Sequence, residues 1–141
     1  MGRPIVAGYK WIFTSDSIFV RHYLKEFYCK FDSILNDSLS LVKLLELHRL
    51  DKNCFLFTID FKSSYTNIPV DDAIKSIKQL CFDFQNVIPN AHFIMKRLDL
   101  VLKSSLMTFD GKYFQQMFCL IKGTNIASIL TNIYMAMLEN D

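Results

Sequence analysis

Glycine and proline are scarce in this chain, four and three among 141 residues, which excludes a collagenous, linker-rich or low-complexity polypeptide. Cysteine is thinly spread: Cys29, Cys54, Cys81 and Cys119 lie more than twenty residues apart, with no CxxC pair and no histidine at ligand spacing. That spacing argues against a zinc site or a secreted disulfide framework and fits reduced intracellular thiols. Apolar runs fall well short of the roughly 20 residues of a membrane-spanning helix, since the longest candidate, 129–138, is interrupted by Thr131 and Asn132. The N-terminus shows no signal-peptide run, and Val6 stands where a myristoylation motif needs Ser or Thr. Sixteen basic residues against fourteen acidic ones leave a formal charge of +2, and no Lys/Arg block marks or excludes a nucleic-acid partner.

What the chain does have is apolar and aromatic bulk. About half of it is hydrophobic and thirteen residues are Phe, enough to bury the core of one domain and to exclude intrinsic disorder. Residues 15–35 carry Val20, Tyr23, Leu24, Phe27, Phe31, Ile34 and Leu35 at helical spacing behind Ser15 and Asp16, which predicts one long helix. A polar break at Asn36, Asp37 and Ser38 precedes a second helix, with Val42 and Leu45, together with Leu41 and Leu44, on its inner face, ending before Asp51. The apolar run 55–59 predicts a strand covered on both faces, with Asp60 at its exit.

Pro69, Asp71 and Asp72 open a helix whose buried face is Ile74, Ile77 and Cys81. A further helix is predicted over 91–105, with Ile94, Leu98, Val101 and Leu102 inward. Asp110-Gly111, between β-prone runs 107–109 and 113–118, predicts a hairpin. Gly123 and Thr124 lead into a last helix with Ile126, Ile129 or Leu130, Ile133 and Met137 as its apolar stripe. The class is α+β, with no internal repeat.

Few residues suggest chemistry by type and place. Asp60 at a strand end suits a divalent cation, because Mg²⁺ is held by one or two carboxylates together with substrate phosphates. It equally suits a turn cap or a partner for a lysine. Tyr65 could stack on a base or face a sugar, or be core. Arg3 could pair with a phosphate, and the turn at Gly123 could offer backbone N–H groups to an anion. His22, His48 and His92 have no legible catalytic partner.

Three segments together resemble the reverse transcriptase domain of retroelements, most closely the Penelope-like elements. GRPIVAG at 2–8 is similar to the fingers motif, DFKSSYTNIP at 60–69 to motif A, and QMFCLIKGTNIASILTNIYM at 116–135 to motif B. The resemblance implies a right-hand polymerase fragment, with about 1–52 a helical fingers part and about 53–141 a partial palm. It implies Asp60 as catalytic metal ligand, Tyr65 as the sugar gate, and Arg3, Gln116 and Gly123 as further nucleotide contacts. Gln116, Gly123, Ala127 and Asn132 keep the motif B frame, while Cys119 replaces Gly, Lys122 replaces Met, Ser128 replaces Pro and Thr131 replaces Ala.

The partners implied are an RNA template, a DNA primer and deoxynucleoside triphosphates, with two Mg²⁺ ions and no membrane. The family's paired-aspartate motif has no match through Asp141, and neither Glu139 nor Asp141 fits it. The resemblance therefore implies an RNA-directed DNA polymerase domain whose two-ion site is incomplete within these residues and which is inactive alone. A non-catalytic nucleic-acid-binding or protein-interaction remnant is the alternative. The nucleus would suit a polymerase primed on chromosomal DNA, although no basic cluster marks it.

Overall fold

A computed structural model describes residues 11–35, 37–48, 53–55, 57–84, 88–120 and 122–140. The elements in chain order are α1 (Thr14–Leu24), a 3₁₀ segment (Lys25–Lys30), α2 (Ser38–Leu47), the single turn α3 (Ser64–Asn67), α4 (Val70–Asp83), α5 (Ala91–Lys103), β1 (Leu106–Phe109), β2 (Lys112–Gln115) and α6 (Ala127–Asn140). The class is α+β, as the periodicity predicts, with the strands forming a two-stranded antiparallel sheet.

The core is helical. Ile94, Leu98, Val101 and Leu102 are all buried along one stripe of α5, which packs against both α1 and α4, and α4 in turn packs against α6. Their inward residues, Val20 and Leu24, Ile74, Ile77 and Leu80, and Ile129, Leu130 and Ile133, join one buried cluster. The spacing that generates each face is the three-and-four step of an amphipathic helix. Arg97 locks α1 to α5: its guanidinium pairs with the Asp16 carboxylate and lies over the rings of Phe93 and Phe19, 4.6 and 5.4 Å from their centroids.

The hairpin follows from its turn residues. Asp110 and Gly111 both have positive φ, 49° and 68°, the type I′ combination that matches strand twist, and Phe109 pairs with Lys112 across it. Gln115 ends β2, so the predicted extension to Phe118 is corrected; Gln116 still donates its backbone N–H to the Ser105 carbonyl before the chain turns away.

Four other expectations are corrected. The long first helix tightens into 3₁₀ geometry at Lys25 and ends at Phe31, which is extended. Leu35 is consequently exposed. In α2, Asp37 caps the helix by accepting from the Ser40 N–H and hydroxyl, both at 2.7 Å, and these bonds hold its carboxyl below the usual range, yet none of Leu41, Val42, Leu44 or Leu45 is buried. Residues 57–59 form no strand, and Phe55, Phe57 and Ile59 are 94%, 80% and 73% exposed. A strand exists by hydrogen-bonding to another strand, and among the described residues none lies alongside. Asp60 is therefore exposed rather than buried at a strand tip. The predicted helix over 91–105 stops at Lys103, with Ser105 buried and bonded back to the Val101 and Leu102 carbonyls.

Truncating the α5 stripe should be costly and truncating α2 should not. Leu98→Ala is expected to lower unfolding free energy by about 2–5 kcal/mol in urea denaturation. Leu44→Ala should stay within about 0.5 kcal/mol, and equal losses at both sites would refute this assignment of the core.

Candidate functional site

The turn after Asp60 is built by its own side chains. Ser63 takes a left-handed conformation (φ 58°), Thr66 donates its hydroxyl to the Ser63 carbonyl at 3.0 Å, and the Asn67 amide donates to the Lys62 carbonyl at 3.0 Å. Short polar side chains of this kind hydrogen-bond locally and favour turns over continued strand or helix. Ile68 is then extended, as the residue before a proline prefers, and Pro69 caps α4 with its carbonyl accepting from the Ala73 N–H. Ser63, Thr66, Asn67, Ile68 and Pro69 thus each have a local structural duty besides any chemical one.

The segment before α6 is fastened to this turn. Leu120, itself buried, donates its N–H to the Tyr65 carbonyl at 3.1 Å, and the Cys119 thiol donates to the Thr66 carbonyl at 2.7 Å. Gln116 braces the approach, its side-chain amide reaching the carbonyls of Phe118 (2.8 Å) and Cys119 (3.1 Å). Cys119 has φ +65°, a left-handed backbone that costs most residues roughly 1–2 kcal/mol and glycine almost nothing. Gly123 has φ +107°. Both positions lie in the glycine frame of the motif B resemblance, and the first of them holds a cysteine.

These ties gather Asp60, Lys62, Ser64, Tyr65, Thr66 and Lys122 around one open cavity of about 310 Å³. A neighbouring cavity of about 360 Å³ shares Asp60 and Ser64 and adds Asn132 and Glu139 from α6. Asn132 donates to the Tyr28 hydroxyl at 3.0 Å, which ties α6 to the 3₁₀ segment; burial pushes the Tyr28 phenol up, partly offset by that bond. Among the described residues no group of three His, Cys, Asp or Glu side chains could hold a metal ion, so Asp60 and Glu139 are the carboxylates available around these cavities.

Of the sequence-predicted site residues, the structure brings Asp60 and Tyr65 together. Gln116 lines a different cavity, beside Lys103 and Phe118, and Gly123 adjoins Lys122 in the turn. Arg3 lies outside the described residues. Sequence reasoning gave Lys62 no role and read Lys122 only as a departure from a pattern; Lys62 comes with the Asp60 turn itself, whereas the placement of Lys122 depends on the contact between residues 65 and 120, which no local signal announces. Glu139 was set aside because it matches no motif, and its helix carries it to the Asp60 side.

Thr131, another departure, is buried with a hydroxyl that has no hydrogen-bond partner. An unpaired buried hydroxyl costs about 1–3 kcal/mol. Thr131→Ala is therefore expected to raise unfolding free energy by about 1 kcal/mol. Cys119→Val should lower it by about 1–3 kcal/mol, because a β-branched residue resists positive φ, whereas Cys119→Gly should be close to neutral. Equal tolerance of Val and Gly at 119 in chemical denaturation would show that the left-handed backbone is not required.

Among the described residues no helix is long and apolar enough to cross a membrane. Comparison with protein-family models, with curated proteins and with solved structures finds no match for this chain.

Proposed function

We propose that the chain carries part of a nucleotide site of the reverse transcriptase type, belonging to a fingers-and-palm portion of an RNA-directed DNA polymerase, and that residues 1–141 do not polymerise by themselves. The observation that carries this reading is the bond from Leu120 to Tyr65, which joins the segments resembling motifs A and B so that Asp60, Tyr65 and Lys122 face one cavity. Two sequence segments far apart in the chain thereby meet in the order the resemblance implies, and the left-handed backbone at Cys119 falls where that resemblance places a glycine.

In this reading Asp60 would hold a Mg²⁺ ion together with the phosphates of a deoxynucleoside triphosphate. A single exposed carboxylate suits that shared ligation. When bound, the ion neutralises charge on the phosphoryl group undergoing transfer. The half-buried Tyr65 ring would stack against the sugar and exclude a 2′-hydroxyl. A primer 3′-hydroxyl would be the nucleophile and pyrophosphate the leaving group. One motif A carboxylate and no paired-aspartate motif leave that step without a complete two-ion site here.

Binding of dATP with Mg²⁺, followed by isothermal titration calorimetry, should be detectable and weakened about tenfold by Asp60→Asn. Primer extension on an RNA template should be absent from both proteins. Extension by the wild type that Asp60→Asn abolishes would overturn the incomplete-site reading. Failure of dATP to bind, alongside salt-sensitive binding of a primer-template duplex, would favour the non-catalytic nucleic-acid-binding remnant.

A further inference from the structure

We infer that Lys122 and Lys62 are phosphate-binding residues, and that the cavity they share with Tyr65 takes a nucleoside polyphosphate whose phosphate chain lies on the lysine side. This rests on the nucleotide-site reading and adds to it two residues whose side chains the motif frame gives no task.

Three observations converge on it. Lys62 and Lys122 are both exposed and both line the cavity, and neither takes part in an ion pair among the described residues, so each charge is free to meet a ligand there. Asp60 is the one carboxylate in the same wall, so the wall is net cationic, and a polyanion is the ligand that balances it. Lysine is a flexible point charge with three donors, suited to a mobile phosphate chain more than to a planar carboxylate.

Position is the third. Lys122 stands two residues after Leu120, whose N–H is fixed to the Tyr65 carbonyl, and directly before Gly123, whose φ of +107° turns the chain toward α6. The chain two residues before Lys122 is thus tethered to the backbone of the residue whose ring would meet the sugar. Lys62 reaches the same space from the opposite segment, with its carbonyl held by the Asn67 amide. A cavity of about 310 Å³ falls at the lower end of the range for small-molecule sites. A thioether at 122, as the resemblance expects, would offer such a ligand no charge. The lysine converts that wall into an anion-binding one.

The test uses the full 141-residue chain and three probes in calorimetry: tripolyphosphate, dATP and deoxyadenosine. Lys122→Met and Lys62→Met are each expected to weaken tripolyphosphate and dATP by about tenfold and to leave deoxyadenosine unchanged, since only the phosphate contacts are lost. Both side chains are exposed, so circular dichroism should show an unaltered fold. Absence of tripolyphosphate binding by the wild type, or binding that neither substitution weakens, would overturn the inference. The two readings fail separately. Lysine-dependent tripolyphosphate binding without deoxyadenosine binding would support the phosphate site and sink the nucleotide reading. Asp60-dependent dATP binding that ignores both lysines would do the reverse.

Discussion

The hydrogen bond from the Leu120 N–H to the Tyr65 carbonyl is the constraint on which the candidate site depends. It joins residues separated by more than fifty positions, and it does so next to a leucine that is almost fully buried. Core packing therefore sets where the bond can form. Without it, Asp60 and Lys122 would belong to unrelated turns and share no cavity. The left-handed backbone at Cys119 is the conformational cost of making this approach: the chain must reverse between Phe118 and Leu120 to present an N–H to the turn. Its thiol recovers some of that cost by donating to the Thr66 carbonyl.

The helices supply the rigidity behind that contact. The stripe of α5 binds α1 on one side and α4 on the other, and Arg97 with Asp16 adds a charged clasp between α1 and α5 that two aromatic rings partly shield from water. On the far side, α4 and α6 close the core, and Asn132 links α6 back to Tyr28. The elements flanking the site, α3, α4 and α6, are thus anchored, while the residues entering it from the N-terminal side, 57–60, have no strand neighbour among the described residues. One wall of the site is firm and the other is open.

How much could be read in advance tracks how local each signal is. Asp110-Gly111 set the hairpin because two successive positive φ values are a property of the turn residues themselves. All four residues chosen for α5 are buried, because a helix defines its own face before anything packs on it. The run 55–59 misled for the opposite reason: apolar, aromatic composition reports a tendency to be covered, and only a partner strand can fulfil it. The same holds for α2, whose leucines surround the helix rather than form one stripe, so that periodicity could not say which side, if any, meets the core. Around the cavity, Asp60 and Tyr65 could be singled out from the resemblance of their segment, and the structure puts both in its lining. Lys62 was passed over inside that segment because no motif gives its side chain a task, and Lys122 and Glu139 were not legible, since they reach these cavities through contacts across the fold.

The exposure of Asp60 also changes the electrostatic question. Read as the tip of a buried strand, a lone carboxylate demands a cation nearby to offset its desolvation. In open solvent it carries no such demand, and water suffices. The unbalanced charge then belongs to the other sign: two lysines converge on the cavity against a single aspartate. A surface with that excess attracts anions weakly unless several charges act on one ligand at once, which a polyphosphate permits and an isolated carboxylate does not. A metal ion shared between Asp60 and the same phosphates would add to the attraction instead of competing with it, because carboxylate and lysines would then engage different oxygens. In the proposed reading, the exposed acid and the two lysines thus act on one polyanion, the acid through a bound cation and the lysines directly.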